Sequence, residues 1–305
     1  MIQDTRGSAG ECAASATVRS VGPFNYKDAF SRNIGWLSEA EQQSLQGKRV
    51  AIAGLGGVGG LHLLTLARLG IGKFTIADPD RFELVNFNRQ VGATMQTLGQ
   101  PKVDVMTRMA REINPEIEIR AFEAEVTKEN LDDFLDDVDV YVDGLDFFAF
   151  DARERTFAAC AAKGIPAVTV APIGMGAALL NFLPGKMTFE HYFRFSGASE
   201  PEKALKFLLG VAPALLHRRY LVDRSQVSFA EQRGPSTIMA CELCAGLAAT
   251  QVLKIVLKRG RVLAAPRGLH FDAYTHRLVQ TWRPRGNASL IQRLMLVIAR
   301  RQFRR

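Results

Sequence analysis

Cysteine is scarce in this chain, with four residues among 305. This scarcity excludes a small secreted domain held together by disulfides, and the reducing cytoplasm is the expected location. The first residues lack the basic start and apolar core of a signal peptide, so none is expected. The longest apolar candidate, residues 204–216, is interrupted by Lys206, Gly210 and Pro213. We therefore expect no integral membrane association.

Acidic residues are nearly missing from the end of the chain. From Lys254 onward, 13 lysine and arginine residues accompany one acid, Asp272. This segment carries +12, and the preceding residues carry −4 within a net charge of +8. Residues 287–305 have apolar side chains at helical spacing and predict a basic amphipathic helix. Such a helix either packs on the body with its arginines in solvent or contacts an anionic partner, such as RNA, lipid headgroups or an acidic protein.

Short apolar runs alternate with amphipathic segments in the first part of the chain. Strands are predicted at 49–54, 73–78, 116–122, 138–142 and 166–171. Helices are predicted around 38–45 and then between these strands, at 58–70, 101–114, 127–136 and 148–163. This alternation predicts an α/β fold with a Rossmann-like, mostly parallel sheet and helices on both faces.

The pattern changes after Pro172. Residues 173–196 predict strands and turns, 201–221 a helix-rich stretch, 236–257 a long apolar helix and 269–282 a strand pair. We therefore expect a more antiparallel C-terminal half to extend the sheet. The predicted organisation is a disordered tail (1–22), a single domain with a nucleotide half (23–172) and a substrate-facing half (173–286), and a C-terminal helix (287–305).

A glycine loop follows the first predicted strand. Gly54, Gly56 and Gly59 satisfy the G-x-G-x-x-G pattern between a strand and a helix. Glycine lets the backbone turn sharply and approach phosphate oxygens, and the helix N-terminus offers free N–H groups. Asp78 ends the next strand, about 20 residues further on, where an acid can hold ribose hydroxyls. These residues suit an NAD-dependent oxidoreductase as well as an ATP-dependent enzyme.

Residues beyond Asp78 favour chemistry on a triphosphate. Attack at the α-phosphorus concentrates negative charge on the phosphoryl group and on the departing pyrophosphate, so cations must be placed there in advance. Arg89 can clamp phosphate oxygens with two N–H groups, whereas Lys102 acts as a point charge. Asn86 and Gln90 can hold phosphates or a lid by hydrogen bonds.

Two acids compete for a magnesium ion. Asp146 lies beyond strand 138–142, at the carboxyl edge where open parallel sheets bind ligands, and its carboxylate is a hard oxygen ligand that suits Mg²⁺. Asp143 is the competing candidate, with orientation of the loop as its other role. The sequence favours Asp146.

Several motifs resemble the ThiF/MoeB/HesA superfamily, bacterial relatives of the ubiquitin-activating E1 enzymes. They are GLGGVGG, DPDRFELVNFNRQ, GQPKV, EINPEI, VDGLD and the GIP at 164–166. The resemblance runs from about Phe30 to Leu257 and is strongest over 49–146. It implies a ThiF-type adenylyltransferase that uses MgATP to adenylate a carboxylate, often the C-terminal Gly-Gly of a small ubiquitin-like protein.

The resemblance also implies roles for individual residues. Gly57 and its neighbours would receive phosphates, Asp78 the ribose and Asp146 the Mg²⁺. The residues expected around the triphosphate are Asp80, Asn86, Arg89, Gln90 and Lys102. Arg32 matches an arginine that reaches the γ-phosphate across a homodimer interface in this family; its alternative is a surface charge.

Three features depart from the family pattern. Asn33 follows Arg32 where the family has Gln, and Phe147 follows Asp146 where Asn is typical. The two Cys-x-x-Cys pairs that hold structural zinc in many members are absent, and residues 190–195 and 271–279 stand in their places. Since a closed zinc site needs four such ligands, we predict no zinc.

Cys241 and Cys244 form a C-x-x-C within an apolar helical run. We interpret them as residues that pack in the core. The alternatives are a redox pair, a thiol nucleophile or half of a metal site.

The predicted function is adenylation of a carboxylate with release of pyrophosphate. The acid would belong to a ubiquitin-like or sulfur-carrier protein, a modified tRNA base or a peptide precursor. Two alternatives remain open. One is a nucleotide-binding scaffold that has lost catalysis, for which Phe147 and the missing zinc cysteines argue. The other is an NAD-dependent oxidoreductase.

Overall fold

The computed structural model describes residues 22–229 and 231–303. The tail predicted at 1–22 lies outside the described residues, apart from Gly22.

Eight strands form one sheet in the order β3-β2-β1-β4-β5-β6-β7-β8. The first five are parallel, and β5 to β8 pair antiparallel with their neighbours. The strands are β1 Arg49–Ala53, β2 Lys73–Ala77, β3 Glu118–Phe122, β4 Val140–Asp143, β5 Ala167–Ile173, β6 Gly176–Phe182, β7 Arg267–Asp272 and β8 Arg277–Trp282. The predicted fold class, a mostly parallel sheet with an antiparallel C-terminal extension, is confirmed.

Helices cover both faces of this sheet. They are α1 Tyr26–Ala29, α2 Glu39–Gln46, α3 Gly57–Leu69, α4 Lys102–Ile113, α5 Leu131–Phe134, α6 Phe150–Lys163, α7 Phe189–Phe193, α8 Glu200–Val211, α9 Ile238–Val256 and α10 Leu290–Phe303. The central strand β1 shows the two-sided burial. Val50 and Ile52 pack with α3, α4 and α9, whereas Ala51 and Ala53 pack with the aromatic residues of α6, α7 and α8. Successive side chains of a strand point to opposite faces, so this strand is buried on both.

Two of the segment predictions were wrong. The helix expected at 127–136 is reduced to α5, because the Asn130 side chain accepts the Thr127 N–H (2.8 Å) and donates to the Glu125 carbonyl (2.8 Å). These bonds form a polar turn that competes with helix formation. Within 173–196, where strands were expected, residues 189–193 form α7, and the Thr188 side chain caps it by accepting the His191 N–H.

Helix α9 has 19 residues and is longer than the apolar segment that the sequence singled out. By length and composition alone it could span a membrane. It packs against α3, β5 and β6 within the core, which is the position of a core helix in a folded domain. Cys241 and Cys244 are buried in that core, in agreement with the packing interpretation.

The strand order reverses between β1 and β4. The chain leaves β1 toward β2 on one side and leaves β4 toward β5 on the other. A crevice therefore opens at the carboxyl ends of these two strands, which is where open α/β sheets bind ligands.

Candidate functional site

The turn after β1 and the loop after β4 touch through their backbones. Gly54 has a φ of +83°, which favours glycine. A Cβ atom on Gly59 would lie 1.8 Å from the Gly54 carbonyl oxygen, and one on Gly144 would lie 2.4 Å from the same oxygen. Only glycine permits this crossing. At Gly56 there is room: the nearest atom to an added Cβ is the Gln90 Nε2, at 3.7 Å.

Helix α3 begins at Gly57 without a side-chain cap. Its first N–H groups therefore keep hydrogen-bonding capacity, and the helix dipole adds partial positive charge at this end. The N-terminus opens into a cavity of about 2050 Å³. The residues predicted from the sequence that line this cavity are Gly54, Gly56, Gly57, Asp78, Asp80, Asn86, Arg89, Gln90, Lys102 and Asp146. Gly59 is absent from this lining because it packs against Gly54 behind the turn.

Asp78 and Lys102 form the buried polar wall of the cavity. The Asp78 carboxylate accepts the N–H groups of Leu55 (2.6 Å) and Asp80 (2.9 Å), which ties the end of β2 to the glycine turn. Lys102 Nζ lies 2.8 Å from Asp80 Oδ2 and 3.8 Å from Asp78 Oδ1. Desolvation raises the pKa of Asp78, and the Lys102 ammonium opposes that rise.

The NFNRQ segment supplies a second wall. Gln90 is buried, and its Oε1 has no hydrogen-bond partner among the described residues. Such an atom is costly to leave unpaired and marks a position for a ligand donor or water. Arg89 is half-buried and donates to the Val85 carbonyl (3.0 Å) and to Asn88 Oδ1 (2.9 Å). Asn86 is buried with its Oδ1 accepting the Glu83 N–H at 2.9 Å, so its side chain shapes the turn.

The two competing acids after β4 have different surroundings. Asp143 is buried, and its Oδ2 accepts bonds from Arg153 Nε (2.8 Å) and Thr169 Oγ1 (2.8 Å). Asp146 is exposed at the cavity, and one of its oxygens accepts the Phe148 N–H at 3.0 Å. Asp143 is therefore engaged inside the protein, whereas Asp146 keeps carboxylate oxygen for a ligand.

Arg153 is a site residue that the sequence reasoning missed. From the first turn of α6, it pairs with Asp143 and donates to the carbonyls of Leu145, Asp146 and Phe147 at 2.9, 2.9 and 3.2 Å. Its guanidinium also lies over the Phe207 ring, 4.6 Å from the centroid. This one side chain holds the loop that carries Asp146. The available signal was an arginine in the second turn of the predicted helix 148–163, three residues after a stretch of aromatic residues.

Arg32 does not line the cavity of its own chain. It is exposed in the 3₁₀ turn Ser31–Asn33. Asn33, which departs from the family pattern, donates to Gln42 Oε1 (3.0 Å) and to the Leu69 carbonyl (3.2 Å). These bonds fix the turn to α2 and to the end of α3. The role of Arg32 in a second subunit stays a prediction.

The second departure, Phe147, makes the wall beyond Asp146 aromatic. Its ring centroid lies 4.9 Å from that of Phe148 and 5.3 Å from that of Phe207. The described ranges 22–229 and 231–303 contain no group of three or more His, Cys, Asp and Glu side chains that could hold a metal ion. Any magnesium at Asp146 would therefore need oxygens from its nucleotide and from water.

The chain is similar to several characterised proteins. The tRNA threonylcarbamoyladenosine dehydratase of Bacillus subtilis (strain 168) is 35% identical over 150 residues, or 49% of this chain and 57% of that protein. The sulfur carrier protein ThiS adenylyltransferase of Escherichia coli (strain K12) is 35% identical over 143 residues, or 47% and 56%. The match therefore spans little more than half the length of these curated relatives. A crystal structure of E. coli MccB with ATP has a TM-score of 0.65 and 19% identity, covering 87% of this chain and 74% of that one, which indicates a shared fold.

The family model described as the ThiF family matches residues 30–290, most of the chain. This match agrees with the glycine loop, the NFNRQ wall and the GQPK lysine, which converge on one cavity. The resemblance proposed from the sequence is confirmed: the chain belongs to the ThiF family.

Proposed function

We propose that this chain is a nucleotidyltransferase that adenylates a carboxylate with MgATP. The observation that carries the proposal is that Arg89, Lys102 and Asp146 line one cavity together with the uncapped N-terminus of α3. Two cations and a free carboxylate oxygen around a helix N-terminus suit a triphosphate and its metal ion. An NAD-dependent oxidoreductase has no need for these groups beyond Asp78.

Each residue of the cavity has a proposed role that follows from its chemistry. The substrate carboxylate attacks the α-phosphorus, the bond to the bridging oxygen breaks, and pyrophosphate leaves. The Gly56–Gly57 backbone would receive phosphate oxygens, and Asp78 would hold the ribose. Lys102 and Arg89 would offset the charge that grows on the phosphoryl group and on pyrophosphate. Asp146 would be the chain's ligand for Mg²⁺, which would neutralise part of the triphosphate charge.

We further propose that two chains share each site. Arg32 is exposed, and beside it Ile34 and Trp36 are 42% and 85% exposed. Exposed large apolar side chains next to a functional arginine suit a surface that a second copy covers. On this proposal Arg32 extends from one protomer toward the γ-phosphate held by its partner.

For the acid that is adenylated, we propose only a class of compound. Similar proteins are named for a sulfur carrier protein and for a modified tRNA adenosine. We propose that the half covering 173–286 faces the acid, since residues of α8 and of the segment after it line the same cavity. A polypeptide carboxylate and a nucleic-acid-borne carboxylate both remain within this proposal.

ATP–pyrophosphate exchange over a panel of acids tests the activity. We expect exchange that depends on one class of acid, and a loss of about 10²-fold or more in Lys102→Met and Asp146→Ala. Lys163→Ala is the control, because Lys163 forms an exposed ion pair with Asp132 at 2.8 Å, away from the cavity. Thermal stabilisation by ATP without exchange for any acid would favour the scaffold alternative. Stabilisation by NAD and not by ATP would refute the proposal.

A further inference from the structure

The cavity continues past Asp146 into a region with apolar walls. We name it the aromatic branch and define it by Phe147, Phe148, Leu205, Phe229, Met295 and Ile298, all of which line the cavity. These residues come from four separate segments: the loop after β4, helix α8, the loop before α9 and helix α10. The proposed catalytic residues all precede α6, whereas four of the six branch residues, Leu205, Phe229, Met295 and Ile298, follow it.

The apolar surface is continuous from the proposed metal ligand outward. Phe147 directly follows Asp146, and its ring centroid is 4.9 Å from that of Phe148. Phe148 is 6.5 Å from Phe229 by the same measure. Phe229 in turn packs against the cluster of Leu205, Leu209 and Leu296, which joins α8 to α10. A group that enters beside Asp146 therefore meets apolar side chains as far as α10.

The branch begins on a fixed part of the loop. Arg153 donates to the Phe147 carbonyl and lies over the Phe207 ring, and Phe147 packs against that same ring at 5.3 Å. Phe147 and Phe148 are nevertheless only half-buried, so each presents ring surface to the cavity. Rigid, partly exposed aromatic rings are typical of a preformed pocket for an apolar group.

The cavity is also larger than a nucleotide site requires. Ligand pockets commonly measure about 300–1,000 Å³, whereas this cavity measures about 2050 Å³. The glycine loop and the NFNRQ wall occupy one end, so the branch leaves room for part of the acid. Apolar walls favour ligands that bury apolar surface against them. A terminal Gly-Gly has no side chain to bury there.

We propose that the acid activated here carries a bulky apolar group next to its carboxylate and that the aromatic branch binds this group. The proposal rests on the adenylation proposed above and names its substrate class. Arg224 and Arg233 line the same cavity, which suits an acid with polar parts beyond the apolar group.

Exchange assays with matched acids test this preference. The probes are N-acetylated tetrapeptides ending in Phe, Leu or Gly-Gly, together with phenylpropionate and octanoate as free acids. We expect the efficiency with Phe- or Leu-terminated probes to exceed that with Gly-Gly by about tenfold or more. The free-acid arms distinguish a small apolar acid from a polypeptide. Equal or better exchange with the Gly-Gly peptide would overturn the proposal.

Adjacent residues of α10 provide a matched pair of variants. Ile298 lines the cavity and is 45% exposed, whereas Val297 does not line it and is 41% exposed. Neither substitution opens the core. Ile298→Asp should raise KM for the preferred apolar acid by about tenfold while KM for ATP stays unchanged. Val297→Asp should change neither value, and an equal effect of both variants would count against the aromatic branch.

Calorimetric binding separates this proposal from the adenylation on which it rests. Binding of the Phe-terminated peptide that Ile298→Asp weakens, without exchange for any acid, would support the branch and refute the activity. Exchange whose efficiency depends neither on the apolar group of the acid nor on Ile298→Asp would support the adenylation activity and refute the role of the aromatic branch. No binding and no exchange would refute both.

Discussion

At the scale of single residues, His62 shows what burial does to an ionisable group. It lies wholly buried in α3, and neither ring nitrogen has a hydrogen-bond partner among the described residues. Desolvation lowers its pKa to about 3 from an ordinary 6.5. The folded chain therefore holds this imidazole neutral, while the unfolded chain protonates it near pH 6.5.

Replacing His62 should weaken the decrease of the unfolding free energy with decreasing pH. Between pH 6.5 and about pH 3 the unfolded state binds one more proton at this residue, so stability falls as pH falls through this window. The slope from this group approaches about 1.4 kcal/mol per pH unit. His62→Leu should lose this contribution, as measured by urea unfolding between about pH 7 and pH 5. His191→Gln, at an exposed position, should keep the wild-type slope; parallel curves for wild type and His62→Leu would contradict the assignment.

Arg153 shows why residue roles were only partly predictable. The sequence placed Asp143 and Asp146 after the same strand, so it could rank the two acids only by position. Their difference arises from Arg153 on α6 and Thr169 on β5, whose side chains bind the carboxylate of Asp143. The Asp146 carboxylate instead accepts the Phe148 N–H. Such partners are distant in sequence, and the identity of a hydrogen-bond acceptor cannot be read from local spacing. The loop glycines were predictable because their spacing is local.

Removing Arg153 should destabilise the protein strongly. Arg153→Met leaves the buried Asp143 carboxylate without its cation, at a cost of about 3–5 kcal/mol in unfolding free energy. Adding Asp143→Asn should restore part of that loss, because the uncompensated charge is then removed. Arg120→Met opens an exposed pair with Asp136 and should cost less than about 1 kcal/mol. Similar denaturant midpoints for Arg153→Met and Arg120→Met would show that the buried pair of Arg153 and Asp143 does not stabilise the fold.

At the scale of elements, the contact between the β1 turn and the β4 loop sets the shape of the crevice. Gly59→Ala would place a methyl group 1.8 Å from the Gly54 carbonyl oxygen, so the turn and the start of α3 must separate. We expect a loss of more than about 2 kcal/mol in stability and a matching loss of ATP binding. Gly246→Ala is the control: it lies in α9 with no atom within 4 Å of an added Cβ, and should stabilise by about 0.5–1 kcal/mol. Thermal unfolding with and without ATP measures the stability and the ATP binding of each variant. Wild-type stability and ATP binding in Gly59→Ala would contradict the close backbone contact at Gly54.

The elements that were predicted correctly are those with strong local signals. The strands β1, β2, β4 and β5 contain apolar runs, and β3 alternates between polar and apolar residues. Helix α2 carries a capping box, α4 has amphipathic spacing, and α9 is a long apolar segment. The failures occurred where side-chain hydrogen bonds or tertiary packing decide the backbone. Asn130 shortens α5, and the residues of α7 adopt a helix because Phe189, Tyr192 and Phe193 pack into the aromatic core. A sequence pattern shows that these aromatics are apolar, but not which neighbours surround them.

At the scale of the whole molecule, one of the proposed site residues lies apart from the others. Lys102, Arg89 and Asp146 lie in its cavity, while Arg32 is exposed outside it. Arg32 therefore either acts across a subunit interface or serves only as a surface charge. These two roles give opposite results in mixtures of inactive variants, because only a shared site can combine residues from two chains.

Mixing Arg32→Ala with Asp146→Ala distinguishes these two roles. Each variant alone should have low exchange activity. In a mixture that exchanges subunits freely, half of the dimers are mixed, and one of their two sites pairs an intact Asp146 with an intact Arg32 from the partner. Activity should therefore return to about one quarter of the wild-type value per chain. A mixture of Lys102→Met with Asp146→Ala is the matched control and should stay inactive, because both residues belong to one chain's cavity. If the Arg32 mixture stays equally inactive while size measurements show mixed dimers, Arg32 does not act in the partner's site.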